Sequence, residues 1–213
     1  MTLFYKVGRF FFYGLFRFLY RHEIYGQENL PKGAAIIAPN HQSYYDPPLI
    51  GVSCPGEIFY LARESLFRRP ILGRLIRQLN AYPISGRSSD RSSIKVIDTL
   101  LANQKKVVIF PEGIRSITDN LLQIKPGIAL LAFRSHAPIV PVYIHGTLDL
   151  WPRDKTFPKL WGKTACVFGP PLYPDQFKHL EKKEAQLALA NALKEKIAQL
   201  RNWYLQGAKG PIP

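Results

Sequence analysis

The chain alternates short apolar runs, bounded by Gly and Pro, with longer stretches in which apolar residues recur at helical spacing. The short runs are rich in Val, Ile, Phe and Tyr, as strands are. They predict strands at residues 34–38, 58–62, 107–110, 139–144 and 164–168. Strands that alternate with helices favour a largely parallel sheet. The pattern therefore predicts a single α/β domain with a mostly parallel mixed sheet flanked by helices.

Three segments carry signals of particular helices. Asp46, followed by two prolines, predicts a helix that runs towards residue 53, because Asp accepts hydrogen bonds from free first-turn amides and Pro suits the first turn. Residues 88–104 carry apolar side chains at core-facing spacing, and residues 175–206 are rich in Ala, Leu, Glu and Lys. We expect this last helix to pack over the sheet.

The first residues of the chain interleave aromatic with basic side chains. On a helical wheel the basic side chains fall within an arc of ~120°, and apolar side chains occupy the other side. The basic group is Lys6, Arg9, Arg17 and Arg21, and the apolar group is Phe4, Phe11, Phe12, Leu15, Phe18 and Leu19. The longest stretch of this predicted N-terminal helix without a charged residue is far shorter than the ~20 residues needed to cross a bilayer. We predict a membrane-interface helix within residues 1–24 and a domain at residues 25–213; a helix that only packs on the core is the alternative.

Charge narrows the class of partner. Lys and Arg number 29 against 15 Asp and Glu, which gives a net charge of +14 and favours an anionic partner such as an acidic membrane surface. We expect no nucleic acid, because the aromatic and basic residues cluster in one short amphipathic helix. We expect no metal either, because the histidines and the two cysteines, Cys54 and Cys166, lack ligand spacing.

Asn40, His41 and Asp46 lie between a predicted strand and a predicted helix, where open α/β sheets bind ligands. A His can accept a proton from an alcohol near neutral pH, and a carboxylate can fix its tautomer. A structural His beside a capping Asp is the alternative. A serine hydrolase is disfavoured, because there is no Gly-x-Ser-x-Gly segment and Ser43 suits a turn.

Residues 110–116, Phe-Pro-Glu-Gly-Ile-Arg-Ser, follow another predicted strand. Arg115 offers a planar fork of donors that suits a phosphate. Gly113 lets the backbone approach a ligand closely, and Glu112 can hold Arg115 or bond the turn. The Pro-Glu-Gly part alone would suit an ordinary turn.

These two segments together resemble the 1-acylglycerol-3-phosphate acyltransferases of the glycerophospholipid acyltransferase superfamily. Asn40, His41 and Asp46 match the first motif in full, and residues 110–116 match the third except that Ile114 replaces Thr. Residues 139–144 resemble the fourth motif.

The second motif is matched more loosely. Its stretch from a basic residue through Leu, Pro and Gly resembles Arg63, Leu66, Pro70 and Gly73. The Arg that ends this motif corresponds to Arg87, displaced by one residue.

The resemblance implies a glycerolphosphate-acyltransferase-like fold and direct acyl transfer to the free hydroxyl of lysophosphatidic acid, giving phosphatidic acid. The donor would be acyl-CoA or acyl-ACP, with no other cofactor. His41 would be the general base and Asp46 would hold it. The implied substrate-binding residues are Asn40, Arg63, Arg87, Glu112, Gly113, Arg115 and Ser116.

Two alternatives stay open. The acceptor can be another lysophospholipid or lipid, and Ile114 removes a hydroxyl that would help to recognise the phosphate. A non-catalytic interfacial lipid-binding module would also suit the charge and the N-terminal helix. In either case we expect a peripheral or monotopic protein on the cytoplasmic face of the membrane.

Overall fold

The computed structural model describes residues 2–84 and 91–213. Within them, seven strands form one sheet: β1 (Glu23–Tyr25), β2 (Ala35–Pro39), β3 (Ile58–Arg63), β4 (Ala81–Ile84), β5 (Lys106–Val108), β6 (Ile139–His145) and β7 (Ala165–Phe168). The helices are α1 (Leu3–Leu19), α2 (Asp46–Ser53), α3 (Glu64–Phe67), α4 (Pro70–Gln78), α5 (Arg91–Ala102), α6 (Gly127–Ser135), α7 (Thr147–Leu150) and α8 (Lys182–Leu205). Short 3-10 helices span Gln27–Asn29 and Pro174–Phe177.

The strand order is β1-β7-β6-β2-β5-β3-β4, and neighbouring strands run parallel except for the antiparallel pair β6 and β7. The predicted α/β class and mostly parallel mixed sheet are confirmed. Because β2 lies between β5 and β6 and runs parallel to both, the chain leaves all three strands at the same edge of the sheet. Segments far apart in sequence therefore meet there.

Helices cover both faces of the sheet. Alternate residues of β2 point to opposite faces, so Ile36 packs with α5, α6 and α8, whereas Ile37 packs with α1 and α2. All five residues of β2 are buried. A central parallel strand buried on both faces reads as a continuous apolar run, which is why the sequence reveals it.

Helix α1 is apolar on two sides. Tyr5 and Phe16 are buried, and Phe16 belongs to the hydrophobic cluster that covers one face of the sheet. On the other side Phe10 and Phe18 are exposed, Phe18 by 77%. The helix thus packs on the protein, as the alternative interpretation required, and still presents large apolar side chains to the surroundings. No helix in the described ranges is long and apolar enough to cross a bilayer.

Several boundaries differ from the sequence prediction. The predicted division after residue 24 falls inside β1, a three-residue strand that the pattern did not reveal. The helix predicted at 175–206 begins only at Lys182, because residues 174–177 form a 3-10 helix. The helix predicted at 88–104 is observed as α5, and residues 88–90 lie outside the described residues.

Candidate active site

His41 and Asp46 are joined at the carboxyl end of β2. Nδ1 of His41 lies 2.7 Å from Oδ2 of Asp46, and the His41 ring stacks on Phe110 with 3.9 Å between centroids. An ionised carboxylate only accepts hydrogen bonds, so the neutral imidazole carries its proton on Nδ1 and has a lone pair on Nε2. The side chain of His41 is 18% exposed, while that of Asp46 is buried. His41 therefore has the tautomer and the partial exposure of a general base.

Both oxygens of Asp46 are held in place. Besides Nδ1 of His41, Oδ2 accepts hydrogen bonds from the backbone amides of Gln42 at 2.6 Å and Ser43 at 2.8 Å. Oδ1 accepts a 2.6 Å hydrogen bond from the buried hydroxyl of Thr147, at the start of α7. Asp46 does begin α2, but the expectation that it caps that helix was wrong, because its carboxylate turns back to the loop amides. The loop thereby fixes the carboxylate that fixes the imidazole.

The segment after β5 grips the backbone of His41. Glu112 is buried, and its Oε1 accepts a 3.0 Å hydrogen bond from the His41 amide while Oε2 accepts one from the Leu122 amide at 3.2 Å. The amide of Ser116 donates to the His41 carbonyl at 2.8 Å. Burial raises the pKa of Glu112, although these two amides oppose the shift. The sequence left two uses open for Glu112, holding Arg115 or hydrogen-bonding its own turn. The structure instead shows its carboxylate bonded to the backbone amides of His41 and Leu122.

Arg115 stacks on an aromatic ring beside this centre. Its guanidinium carbon lies 3.7 Å from the centroid of Tyr44, and Nη1 is buried without a hydrogen-bond partner in the structure. Buried donors in proteins are normally paired. An unpaired donor on a cation held by a ring suits an anionic ligand.

The sequence associates three other residues with the substrate. In two of them the polar side chain is hydrogen-bonded within the protein, and beside the third the space is filled by another side chain. Asn40 is buried, and its amide group both donates to the carbonyl and accepts from the amide of Ile144 in β6. The Ser116 hydroxyl donates to the carbonyl of Thr118 at 2.8 Å. Gly113 has φ 73°, and an added Cβ would lie 2.7 Å from Nζ of Lys125, so the close approach there is that of a lysine. Asn40 and Ser116 join segments around His41.

Arg63, one of the two other predicted phosphate ligands, stands apart from this cluster. Arg63 ends β3, two strands from β2, and is exposed. Arg87 lies outside the described residues. Ile114, which replaces the Thr of the motif, is exposed beside Arg115. The structure thus brings His41, Asp46, Glu112 and Arg115 together.

Sequence reasoning missed Thr147, Tyr44 and Phe110. Thr147 contacts Asp46 across a separation that no local pattern spans. The available signal was a polar residue just after an apolar strand, at the edge where the other strands end. Tyr44 lies within the first motif, so its contact with Arg115 follows only from the fold.

Sequence comparisons relate this chain to proteins of known activity. A sequence model of the family described as Acyltransferase matches residues 21–145. A 1-acyl-sn-glycerol-3-phosphate acyltransferase of Bacillus subtilis is 32% identical, over 84% of this chain and 88% of its own length. One of Saccharomyces cerevisiae is 35% identical, over 60% of this chain and 44% of its own length.

A solved structure shares the fold as well. The crystal structure of the 1-acyl-sn-glycerophosphate acyltransferase from Thermotoga maritima has a TM-score of 0.74 and 27% identity, over 93% of this chain and 78% of that chain. The present chain therefore belongs to the family of the 1-acyl-sn-glycerol-3-phosphate acyltransferases.

Proposed function

We propose that this protein transfers a fatty acyl group from acyl-CoA or acyl-ACP to the free hydroxyl of 1-acylglycerol-3-phosphate, giving phosphatidic acid. The observation that carries the proposal is the His41 imidazole, which is oriented by Asp46 through Nδ1 and is partly exposed. A base in this state removes a proton from a hydroxyl as the hydroxyl oxygen attacks. The family of the chain supplies the reaction class.

The chemistry needs no covalent enzyme intermediate. The acceptor oxygen attacks the thioester carbonyl while Nε2 of His41 takes its proton, and the resulting imidazolium is stabilised by the buried carboxylate of Asp46. When the tetrahedral intermediate collapses, the C–S bond breaks and the thiolate takes the proton back from His41. The products are an ester and a free thiol, and His41 returns to its starting state.

Arg115 binds the acceptor phosphate in this proposal. Its guanidinium is held on the Tyr44 ring, and its unpaired Nη1 is the donor offered to the anion. Phosphate contacts at a fixed distance from the base place the free hydroxyl for attack, which lowers the entropic part of the barrier. Arg63 and Arg87 remain candidates for a second phosphate contact.

The acceptor reaches this site from a membrane. The exposed side of α1 carries Phe10, Phe11 and Phe18, and the chain has a net charge of +14. Such a helix lies in the headgroup region of an anionic leaflet. A cytosolic thioester donor places the protein on the cytoplasmic face.

The test is thiol release by the purified protein from acyl-CoA or acyl-ACP, with mass spectrometry of the lipid product over a panel of acceptors. The protein's own thiols will not disturb the assay, because burial raises the pKa of Cys54 to about 11 and that of Cys166 to about 12. We expect phosphatidic acid from lysophosphatidate. His41→Ala should abolish turnover, whereas the matched control His179→Ala on the surface should not.

Two results would contradict parts of the proposal. Full activity of His41→Ala would remove His41 as the base. Preference for an acceptor without a phosphate would remove the role given to Arg115. Vesicle binding without turnover on any acceptor would instead favour the non-catalytic lipid-binding module.

A further inference from the structure

A second exposed apolar surface lies beside α1. It is formed by residues 151–163 between α7 and β7, which we name the aromatic segment. Phe157 is 81% exposed, and Leu160 and Trp161 are each 65% exposed. Large apolar side chains exposed in a contiguous group mark an interaction site or a membrane contact.

The aromatic segment is attached to the end of α1. The amide of Gly162 donates to the carbonyl of Leu19 at 3.3 Å, and the Tyr20 hydroxyl donates to the carbonyl of Lys159 at 2.8 Å. The ring centroids of Trp161 and Phe18 are 6.3 Å apart. Since both rings are exposed, the aromatic segment and the outer side of α1 meet at these two residues and can contact the same surface.

Charge indicates which partner this surface takes. The segment contains four basic residues, Arg153, Lys155, Lys159 and Lys163, against one acidic residue, Asp154. Tryptophan favours the headgroup level of a bilayer, where its ring is buried and its N–H is hydrated. Basic side chains beside it gain energy near anionic lipid.

The segment also touches the site. Trp151, at its start, packs on Tyr44 with 5.1 Å between ring centroids, and its carbonyl accepts a 2.6 Å hydrogen bond from the Ser43 hydroxyl. Tyr44 in turn holds Arg115. One short segment therefore runs from an exposed apolar surface to the residues beside the proposed phosphate ligand.

We propose that Phe157, Leu160 and Trp161 form a second membrane contact that, together with α1, seats the protein on an anionic bilayer with its site facing the lipid. The occupant is a lipid surface. This inference rests on the proposed function only in that the acceptor is a membrane lipid. With α1 alone in the interface the whole protein could roll on the membrane about the axis of α1, whereas a second contact fixes its orientation.

The test compares vesicle binding of the full chain with that of a triple variant, Phe157→Ser, Leu160→Ser and Trp161→Ser. The control is Leu187→Ser on α8, which is 53% exposed and lies on the helix that covers the opposite face of the sheet. With phosphatidylglycerol vesicles we expect the triple variant to bind about tenfold more weakly or worse, and the control to bind as the wild type does. On vesicles, Trp161 fluorescence should shift to the blue, a shift that Trp161→Phe removes.

A second measurement separates this inference from the proposed function. With a short-chain, water-soluble lysophosphatidate, the triple variant should keep wild-type turnover, and it should lose turnover only when the acceptor is in a bilayer. Unchanged vesicle binding of the triple variant overturns the second contact, whatever its activity. So does a change from dimer to monomer in sedimentation with no change in vesicle binding, because the surface would then face a second copy. Absence of turnover by the wild type on both acceptors would overturn the proposed function while the binding comparison still decides the contact.

Discussion

Replacing Glu112 by Gln separates two roles for this residue. The carboxylate serves two backbone donors, the amides of His41 and Leu122, one on each oxygen. Gln has only one acceptor oxygen, so one of these amides would face an NH2 group and lose its partner. A hydrogen bond to a charged group contributes about 1.5–3 kcal/mol. If that loss falls on the alignment of His41, kcat drops about 10- to 100-fold.

The measurement is steady-state thiol release with the acceptor varied, for the wild type, Glu112→Gln and the exposed control Glu195→Gln on α8. We expect a lower kcat and an unchanged KM for the acceptor, because Glu112 bonds the backbone of the base. A raised KM with unchanged kcat would refute this reasoning, and would return Glu112 to the substrate-binding role that the family resemblance implies.

The stability of the Glu112→Gln variant provides a second check. Burial raises the pKa of Glu112 in the folded state above its ordinary value of 4.5. The folded protein then binds this proton more readily than the unfolded chain does. The stabilisation that comes from this proton is complete below the pKa of Glu112 in the unfolded chain. It is lost as pH rises through the pKa of Glu112 in the folded protein. Relative to the variant, the wild type should therefore gain unfolding free energy as pH falls from neutral.

Three further predictions concern neighbouring contacts. Thr147→Val removes the donor to Oδ1 of Asp46, and kcat should fall about tenfold, with Thr147→Ser restoring it. Tyr44→Ala removes the ring under Arg115 and should raise the acceptor KM about 2- to 30-fold, whereas Tyr44→Phe should not. Burial lowers the pKa of His22 to about 4, so the unfolding free energy should fall by about 2–4 kcal/mol as pH drops from 6.5 to 4, and His22→Gln should flatten this dependence.

Each of these has a contrary result. Equal kcat for Thr147→Val and the wild type would show that the loop amides alone hold Asp46. An unchanged KM in Tyr44→Ala would show that Arg115 needs no ring. If chemical denaturation gave the wild type and His22→Gln the same dependence of the unfolding free energy on pH, His22 would not be buried as a neutral group.

Much of the fold could be predicted because local patterns in the sequence indicate its strands and helices. The buried strand β2 is a continuous apolar run, and α2 has a Pro pair in its first turn. In contrast, β1 is only three half-buried residues whose pairing with β7 lies far away in sequence, so no local period marks it. Helix α1 carries apolar side chains on two sides, and no wheel tells which side packs on the protein.

The site divides in the same way. The spacing of His41 and Asp46 predicted that they lie in one loop, because the two residues are close together in the sequence. It could not assign Glu112 to the His41 amide or Asn40 to Ile144, since a motif shows which residue types recur together but not which atoms they bond. Those assignments depend on which strands are neighbours.

The position of His41 follows from β2 being central among parallel strands. Glu112, in the segment that follows β5, accepts a hydrogen bond from the backbone amide of His41. Thr147, in the segment that follows β6, donates a hydrogen bond to Asp46, the carboxylate partner of His41. Both neighbours act on the orientation of the imidazole, so their loss should lower kcat. In the proposed function Arg115, held on the Tyr44 ring, binds the acceptor phosphate, so the loss of either residue should raise KM. The order of strands in the sheet thus sorts the residues of one small cluster into those that align the base and those that hold the acceptor.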